Sequence, residues 1–419
     1  MKKEHLLIIG NSGAAINAVK GIRRVNPRCP ITLLSKEPRD AYSPVLTTYL
    51  IAGKVAADRM GCVDKGFYER YGVETRYGQR VVSVDTARKK VFLQTGDAVD
   101  YDKLLIATGA VPNPLDVPLT GKVKVHTLRT IDDAEAIRSA QGAWKKVIFV
   151  GAGLVSVQVA NALRAHVGEM VFIVGSDRIL SQNFDAKASG MVQRRIEAEG
   201  GKFLFNRTVI GVEKSRTGVM ALLGGGKTIT ADAIFVGKGV HPNIPGIAPD
   251  GAVKVGRGIR VDSRMRTSAE GIFAAGDVCE AADLLSGEYR VVSNWPNACF
   301  QGWVAGQNMG GGDALFEGSL SMNVTSVFGL SVASVGQVRD HNGCEREAAS
   351  CTYESREVYK KWVFRDDRLI GGIMVGDIGD NALVAEIIRR RIRMPKEKEA
   401  LISQPWNAAG LLCRLLLAR

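Results

Sequence analysis

Two glycine-rich turns, each set between an apolar strand and an apolar-periodic helix, constrain this chain more than any other feature. The first runs Leu6-Leu7-Ile8-Ile9-Gly10-Asn11-Ser12-Gly13-Ala14-Ala15 into a helix marked by Ile16, Val19 and Ile22. After Pro27 and Pro30, Ile31-Thr32-Leu33-Leu34 reads as the second strand of a strand-helix-strand unit. The second turn lies in Val147-Ile148-Phe149-Val150-Gly151-Ala152-Gly153-Leu154-Val155-Ser156, followed by a helix through Val157, Val159, Ala160 and Leu163 and a strand Met170–Val174. One such turn is weak evidence. Two of them, each in strand-turn-helix-strand context, point to a chain that binds two dinucleotides.

The chemistry explains the residue types. A pyrophosphate is held at a helix N-terminus, where unsatisfied N–H groups and the helix dipole favour negative charge, and a side chain at the point of approach would block it. In the first turn Gly10, Ser12, Gly13 and Ala14 are the candidate contacts; Ser12 stands at the second glycine position and can donate to phosphate. An acid at the end of the second strand normally takes a ribose hydroxyl. That slot falls at Ser35, and Glu37 is the nearest acid. In the second turn Gly151, Gly153, Leu154 and Val155 are the candidates, and Ser156 replaces the third glycine. The ribose slot there falls at Gly175, followed by Ser176-Asp177-Arg178. With neither an acid in the slot nor an arginine cluster, NAD is the expected ligand but NADP stays open.

At 419 residues the chain exceeds one compact core. From Ser319 to about Ile392 the pattern changes to short strands, with a polar turn at Arg365-Asp366-Asp367-Arg368 and a helix expected over Asn381–Arg393. A charged linker, Lys396-Glu397-Lys398-Glu399, precedes an apolar, helix-like tail 401–419. Seven cysteines at wide spacings, without C-x-x-C, read as reduced thiols and not as a disulfide framework or metal site. The four-residue apolar run before Gly10 reads as a strand and not a secretion signal, and no stretch is long enough to span a membrane, so a cytoplasmic protein is expected. The net charge of +13 reads either as a uniformly basic soluble surface or as the mark of an anionic partner. No nucleic-acid module accompanies it, so an acidic protein or a polyanionic cofactor is the economical reading.

Two more segments narrow the class. Tyr101-Asp102-Lys103-Leu104-Leu105-Ile106-Ala107-Thr108-Gly109-Ala110 is a strand ending in a small-residue turn, and Gly271-Ile272-Phe273-Ala274-Ala275-Gly276-Asp277-Val278 is a buried strand ending in Gly-Asp. With these and Gly239-Val240-His241-Pro242-Asn243, the sequence resembles the pyridine nucleotide-disulfide oxidoreductase-like flavoproteins, among them rubredoxin and ferredoxin reductases and the large subunit of NADH-dependent nitrite reductase. The likeness covers residues 5 to about 392.

The resemblance implies an α/β fold with two Rossmann-like domains, one for FAD (1–113 and 248–320) and one for NAD (114–247) inserted into it. A small α+β interface domain (321–395), by which such proteins dimerise, and a tail (396–419) would follow. It implies FAD contacts at Ser43, Pro44, Val82, Ala107, Thr108, Gly109, Gly276, Asp277 and Ala298 besides those of the first turn, with Asp277 holding the ribityl chain. For NAD it adds Gln158, where relatives often carry a glutamate, and Gly239.

One expected feature is missing. Relatives that reduce coenzyme A disulfide carry a cysteine after the first strand-helix-strand unit, and here Val45 occupies that position. Thiol-disulfide turnover is therefore not expected. No residue is assigned as catalytic, because the flavin is the reactive group. Lys54 and Arg39 fall near the expected flavin edge without a firm role. The expected function is electron transfer from NAD(H) through FAD to an acidic iron–sulfur carrier or to sister subunits of a larger oxidoreductase. The style of the Gly10–Pro44 segment suggests flavoprotein subunits of 2-oxoacid oxidoreductases of the phenylglyoxylate dehydrogenase kind. An NADH oxidase and a non-catalytic FAD-holding subunit are the alternatives.

Overall fold

A computed structural model of the chain describes residues 4–247, 251–338, 347–353, 357–395, 398–399, 401, 410, 413 and 417. The chain divides into two compact units, one of residues 1–44, 58–111 and 240–320, the other of 45–57, 112–239 and 321–419.

In the first unit the opening strand Leu6–Ile9 is buried along its whole length, which is what a parallel strand covered on both faces requires. Each such side chain contributes about 1.5–3 kcal/mol by leaving water. It lies in the middle of a five-stranded parallel sheet, with Lys103–Ile106 and then Ile272–Ala274 on one side and Ile31–Leu34 and then Val73–Arg76 on the other. The helix Gly13–Val25 buries Ala14, Ala15, Ile16, Ala18, Val19 and Ile22, the face that the apolar spacing selects. A separate sheet of Val81–Asp85, Lys90–Leu93, Ala98–Asp100 and Gly246–Ile247 has no counterpart in the sequence reading.

The helix Gly13–Val25 crosses the helix Trp295–Met309 at backbone contact. A Cβ on Gly302 would stand 2.0 Å from the Ala14 carbonyl oxygen, and one on Gly306 would stand 2.1 Å from that of Ala18. Small residues four apart on one helix thus face small residues four apart on the other.

The second unit repeats the plan. Lys146–Val150 is the middle strand, flanked by Ala233–Val236 and Val125–His126 on one side and by Glu169–Val174 and Gly201–Phe205 on the other, all parallel. A further sheet of Val209–Lys214, Val219–Leu223, Thr228–Ala231 and Leu119–Thr120 was also not foreseen. Residues from Met322 onward form a five-stranded antiparallel sheet in the order Met322–Val327, Leu330–Gly336, Arg368–Val375, Val358–Arg365, Glu347–Tyr353. Its helix spans Asn381–Arg389, shorter than expected, because Arg391 adopts a left-handed φ of 49°. Under it Lys360, 1% exposed, is held by Asp377 at 2.8 Å and Asp380 at 2.5 Å. The tail expected to be helical lies largely outside the described residues.

Two outcomes follow for stability. Gly306→Ala must push the two helices apart and should cost about 1–3 kcal/mol in chemical denaturation. An unchanged midpoint would contradict the close crossing. His126, 8% exposed and edge-on to Trp144, has its pKa lowered from 6.5 to about 4, first by burial and then by the Lys124 charge. The unfolded chain therefore binds the extra proton first. Stability should be flat above pH 6.5 and fall on the order of 2–3 kcal/mol as pH drops toward 4. Urea melts of His126→Phe should show a shallower loss over that range.

Candidate functional site

In the first sheet the ends of three neighbouring strands come level. Ala107 N–H donates to the Ile9 carbonyl (2.8 Å), Ala275 N–H to that of Ile106 (3.1 Å), and Gly10 N–H to that of Leu34 (2.9 Å). The crevice beyond the carboxyl ends of parallel strands is where dinucleotides bind in such sheets. Gly10, at φ +116°, turns the chain there, and a Cβ would meet the Ala107 carbonyl oxygen at 2.1 Å. Gly276 sits over the start of the helix, within 3.3 Å of the Ala14 Cβ and 3.6 Å of the Ala298 Cβ, measured from its own virtual Cβ. Three residues drawn from distant stretches of sequence thus meet at one point.

The supporting hydrogen bonds lock these turns. Gln301 Oε1 accepts from Gly276 N–H at 2.8 Å, which fixes the turn carrying half-buried Asp277. Thr108 Oγ1 donates to the Asn243 carbonyl at 2.6 Å, and Asn243 N–H donates to the Gly109 carbonyl at 2.8 Å. Ser35 Oγ donates to the Glu37 carbonyl (3.0 Å) and accepts from Glu37 N–H (3.2 Å), and Tyr42 donates to the Glu37 carboxylate at 2.8 Å. Ser43 N–H is taken by the Met60 carbonyl, with Pro44 next to it. Val82 lies on the separate Val81–Asp85 strand, 44% exposed.

The second turn is built alike. Gly151, at φ +93°, would place a Cβ 2.6 Å from the Gly237 carbonyl oxygen, as Gly10 does against Ala107. Gly153 caps the helix Leu154–Leu163, and Val155 stands exposed in its first turn. The absent third glycine is explained by its opposite number. Ser156 is fully buried, and a Cβ on Gly237 would stand 2.0 Å from its Oγ. The close helix–strand approach is kept because the glycine has moved to the strand end. Gly239 accepts from Asn113 N–H at 3.0 Å.

The helix termini test whether the residues fit two anionic cofactors. The helices starting at Ile131, Ala186 and Trp295 have their first N–H groups capped by Thr130, Asp185 and Asn294. The helices starting at Gly13 and Leu154 have no side-chain cap and no acid in the first turn, as is also true of the helix starting at Asn381, but each of the first two follows a parallel strand through a glycine turn. Uncapped N–H groups beside glycine turns suit a pyrophosphate, so the residues fit both groups.

Also in the second unit, Val45, Thr48, Tyr49, Ala52, Lys54, Gln158, Asn161, Thr325 and their neighbours line a cavity of about 240 Å³. Gln158 Nε2 donates to Thr325 Oγ1 at 2.9 Å. No cysteine is among the lining residues. Elsewhere, burial raises the thiol pKa of Cys62 to about 11, and burial also raises those of Cys299 and Cys279, the latter helped by the Asp277 charge. These thiols stay protonated at neutral pH and are poor nucleophiles. Among the described residues no acid, histidine or cysteine cluster could hold a metal, and no helix is long and apolar enough to cross a membrane.

All fifteen residues expected at FAD fall in the first unit, and all six expected at NAD fall in the second. The sequence reading passed over the hydrogen bond of Gln301 to Gly276 and the role of Gly237. Only the Gly237-x-Gly239 spacing hinted at the latter.

Fold and turns together define a two-dinucleotide flavoprotein, an oxidoreductase working with FAD and NAD(H). Residues 4–302 match the pyridine nucleotide-disulphide oxidoreductase family and residues 322–392 the rubredoxin NAD+ reductase C-terminal domain, and the chain belongs to that family. It is 31% identical over 402 residues to the NADH-dependent phenylglyoxylate dehydrogenase subunit epsilon of Aromatoleum evansii, covering 95% of this chain and 94% of the relative. Rubredoxin-NAD(+) reductase of Pseudomonas putida is 29% identical, over 73% of this chain and 80% of that one. The chain also shares its fold with the reductase in the crystal structure of the covalent putidaredoxin reductase–putidaredoxin complex (TM-score 0.88, 22% identity, 100% of this chain and 99% of that chain).

Asp277→Ala should leave the fold intact and yield protein largely without FAD. Normal flavin absorbance per chain in that variant would remove Asp277 from the site.

Proposed function

We propose that this chain draws electrons from NADH and passes them through FAD to an acidic iron–sulfur protein or subunit, without a thiol relay. The observation that carries this reading is the cavity beside Val45 and Gln158, whose lining includes no cysteine. Bound FAD would supply the two-electron to one-electron conversion that a nicotinamide and an iron–sulfur centre need between them. The chain's own residues do the rest. Gly10, Ser12, Gly13 and Ala14 would hold the FAD pyrophosphate, Glu37 a ribose hydroxyl, and Asp277 the ribityl hydroxyls. Ser43, Pro44, Thr108, Gly109 and Ala298 would fix the flavin end. Gly151, Gly153, Leu154 and Val155 would receive the nicotinamide pyrophosphate, and Gln158, steadied by Thr325, would orient the nicotinamide without adding charge.

The net charge of +13 suits an acidic partner, because opposite fields raise encounter rates. The phenylglyoxylate dehydrogenase relative, matched nearly end to end, supports a place as one subunit of a 2-oxoacid oxidoreductase. In this reading residues 114–247 are the NAD domain, residues 321–395 make the self-association surface, and the protein works in the cytoplasm.

Anaerobic titration with NADH should bleach the flavin band at one equivalent. Reoxidation by oxygen should be slow, and reoxidation by an acidic iron–sulfur carrier should be fast and weaken with salt. Absence of bleaching by both NADH and NADPH would defeat the proposal, and fast reoxidation by oxygen alone would turn it into an oxidase.

A further inference from the structure

The first glycine turn is tied to the rest of its unit by a side chain that no glycine pattern marks. Half-buried Asn11 stands between Gly10 and Ser12, and its amide is engaged at both ends. Its Nδ2 donates to the Arg39 carbonyl at 3.3 Å, and its Oδ1 accepts from the Tyr68 hydroxyl at 2.6 Å. The same hydroxyl accepts the Ala41 N–H at 3.2 Å. One phenol oxygen, 57 positions from Asn11, thus closes a ring of hydrogen bonds between the turn and residues 39–41.

The stretch from Ser35 to Tyr42 carries the acid expected at the FAD ribose. Ser35 Oγ accepts from Glu37 N–H at 3.2 Å, and the hydroxyl of Tyr42, the residue after Ala41, donates to the Glu37 carboxylate at 2.8 Å. A shift of Ala41 relative to Asn11 would therefore carry Glu37 away from its place beside the glycine turn. Tyr68 is itself well fixed. It is 9% exposed and lies edge-on to Phe67 (ring centroids 5.2 Å apart) and to Tyr77 (6.5 Å), and Tyr77 donates to the Asp40 carboxylate. Burial pushes the Tyr68 phenol up to about 12, so at neutral pH it keeps the proton that it donates to Asn11. Deleting a hydroxyl that both donates and accepts leaves two partners unsatisfied.

We propose that Tyr68 is a positioning residue for FAD: through Asn11 and Ala41 it sets the spacing between the turn that takes the pyrophosphate and the segment that presents Glu37 to the ribose. It acts through those residues and not by contact with the cofactor. The proposal rests on the first glycine turn being the FAD site.

FAD release from the full-length holoprotein, followed by the fluorescence of free flavin, tests it without recourse to turnover. ADP serves as a competing fragment that carries only the adenosine ribose and the pyrophosphate. Tyr68→Phe, which keeps the ring, should weaken FAD by about tenfold and ADP by the same factor, and leave NAD+ within about twofold. Asn11→Ala should cost as much, and adding Tyr68→Phe to it should cost no more than about a further twofold, because one link is broken only once. Losses that instead multiply to about a hundredfold in the double variant would make Tyr68 a general support of the fold and overturn the proposal. A loss confined to FAD, with ADP unchanged, also overturns it. If Tyr68→Phe does not fold, Asn11→Ala reads the same link, and unchanged FAD affinity in either variant defeats the clamp while the FAD site stands. A wild-type chain that binds neither FAD nor ADP removes the clamp and the site together.

Discussion

The first unit depends on how closely two helices can lie. Gly302 and Gly306 let the helix Trp295–Met309 rest its backbone on the carbonyls of Ala14 and Ala18. That contact does more than fill space. The helix Gly13–Val25 carries an N-terminus left without a side-chain cap. The helix Trp295–Met309 carries Ala298 and, through Gln301, holds the Gly276-Asp277 turn. Moving one helix by the width of a methyl group would separate the first glycine turn from the Gly276-Asp277 turn. Dispersion and hydrogen bonding thus set the spacing of a ligand site through residues that need not touch the ligand.

The two units reach the same arrangement by different residues. In each, the first glycine of the turn packs against a carbonyl at the end of the adjacent parallel strand, Ala107 in one and Gly237 in the other. In each, the helix that follows has no side-chain cap. Leaving those N–H groups unsatisfied costs stability, and the cost is offset when a phosphate occupies them. Where the second motif lacks its third glycine, Gly237 restores the close approach from the other side of the interface. What is preserved is a distance between backbones.

Much of this was legible in the sequence. The strands Ile31–Leu34 and Glu169–Val174 and both turns were visible because apolar runs ending at glycine carry a strong local signal. The extra sheets around Val81–Asp85 and Val209–Lys214 were not. Their strands are short and partly exposed, with little periodicity to mark them. The helix expected to reach Arg393 stops at Arg389 because a left-handed residue, which basic composition does not announce, ends it.

The sequence by itself determined the two glycine turns and the absence of a cysteine at Val45. These are properties of residue type and near spacing, fixed by the 3.6- and 2-residue periods and by what glycine alone permits. Only the tertiary structure decided that Gly276, Ala14 and Ala298 meet, that Thr108 is tied to Asn243 across 135 positions, and that Ser156 finds its glycine in Gly237. Such pairings are set by how sheets order their strands and how closely helices cross. No local pattern carries that information, because the partners are brought together only when the whole core closes.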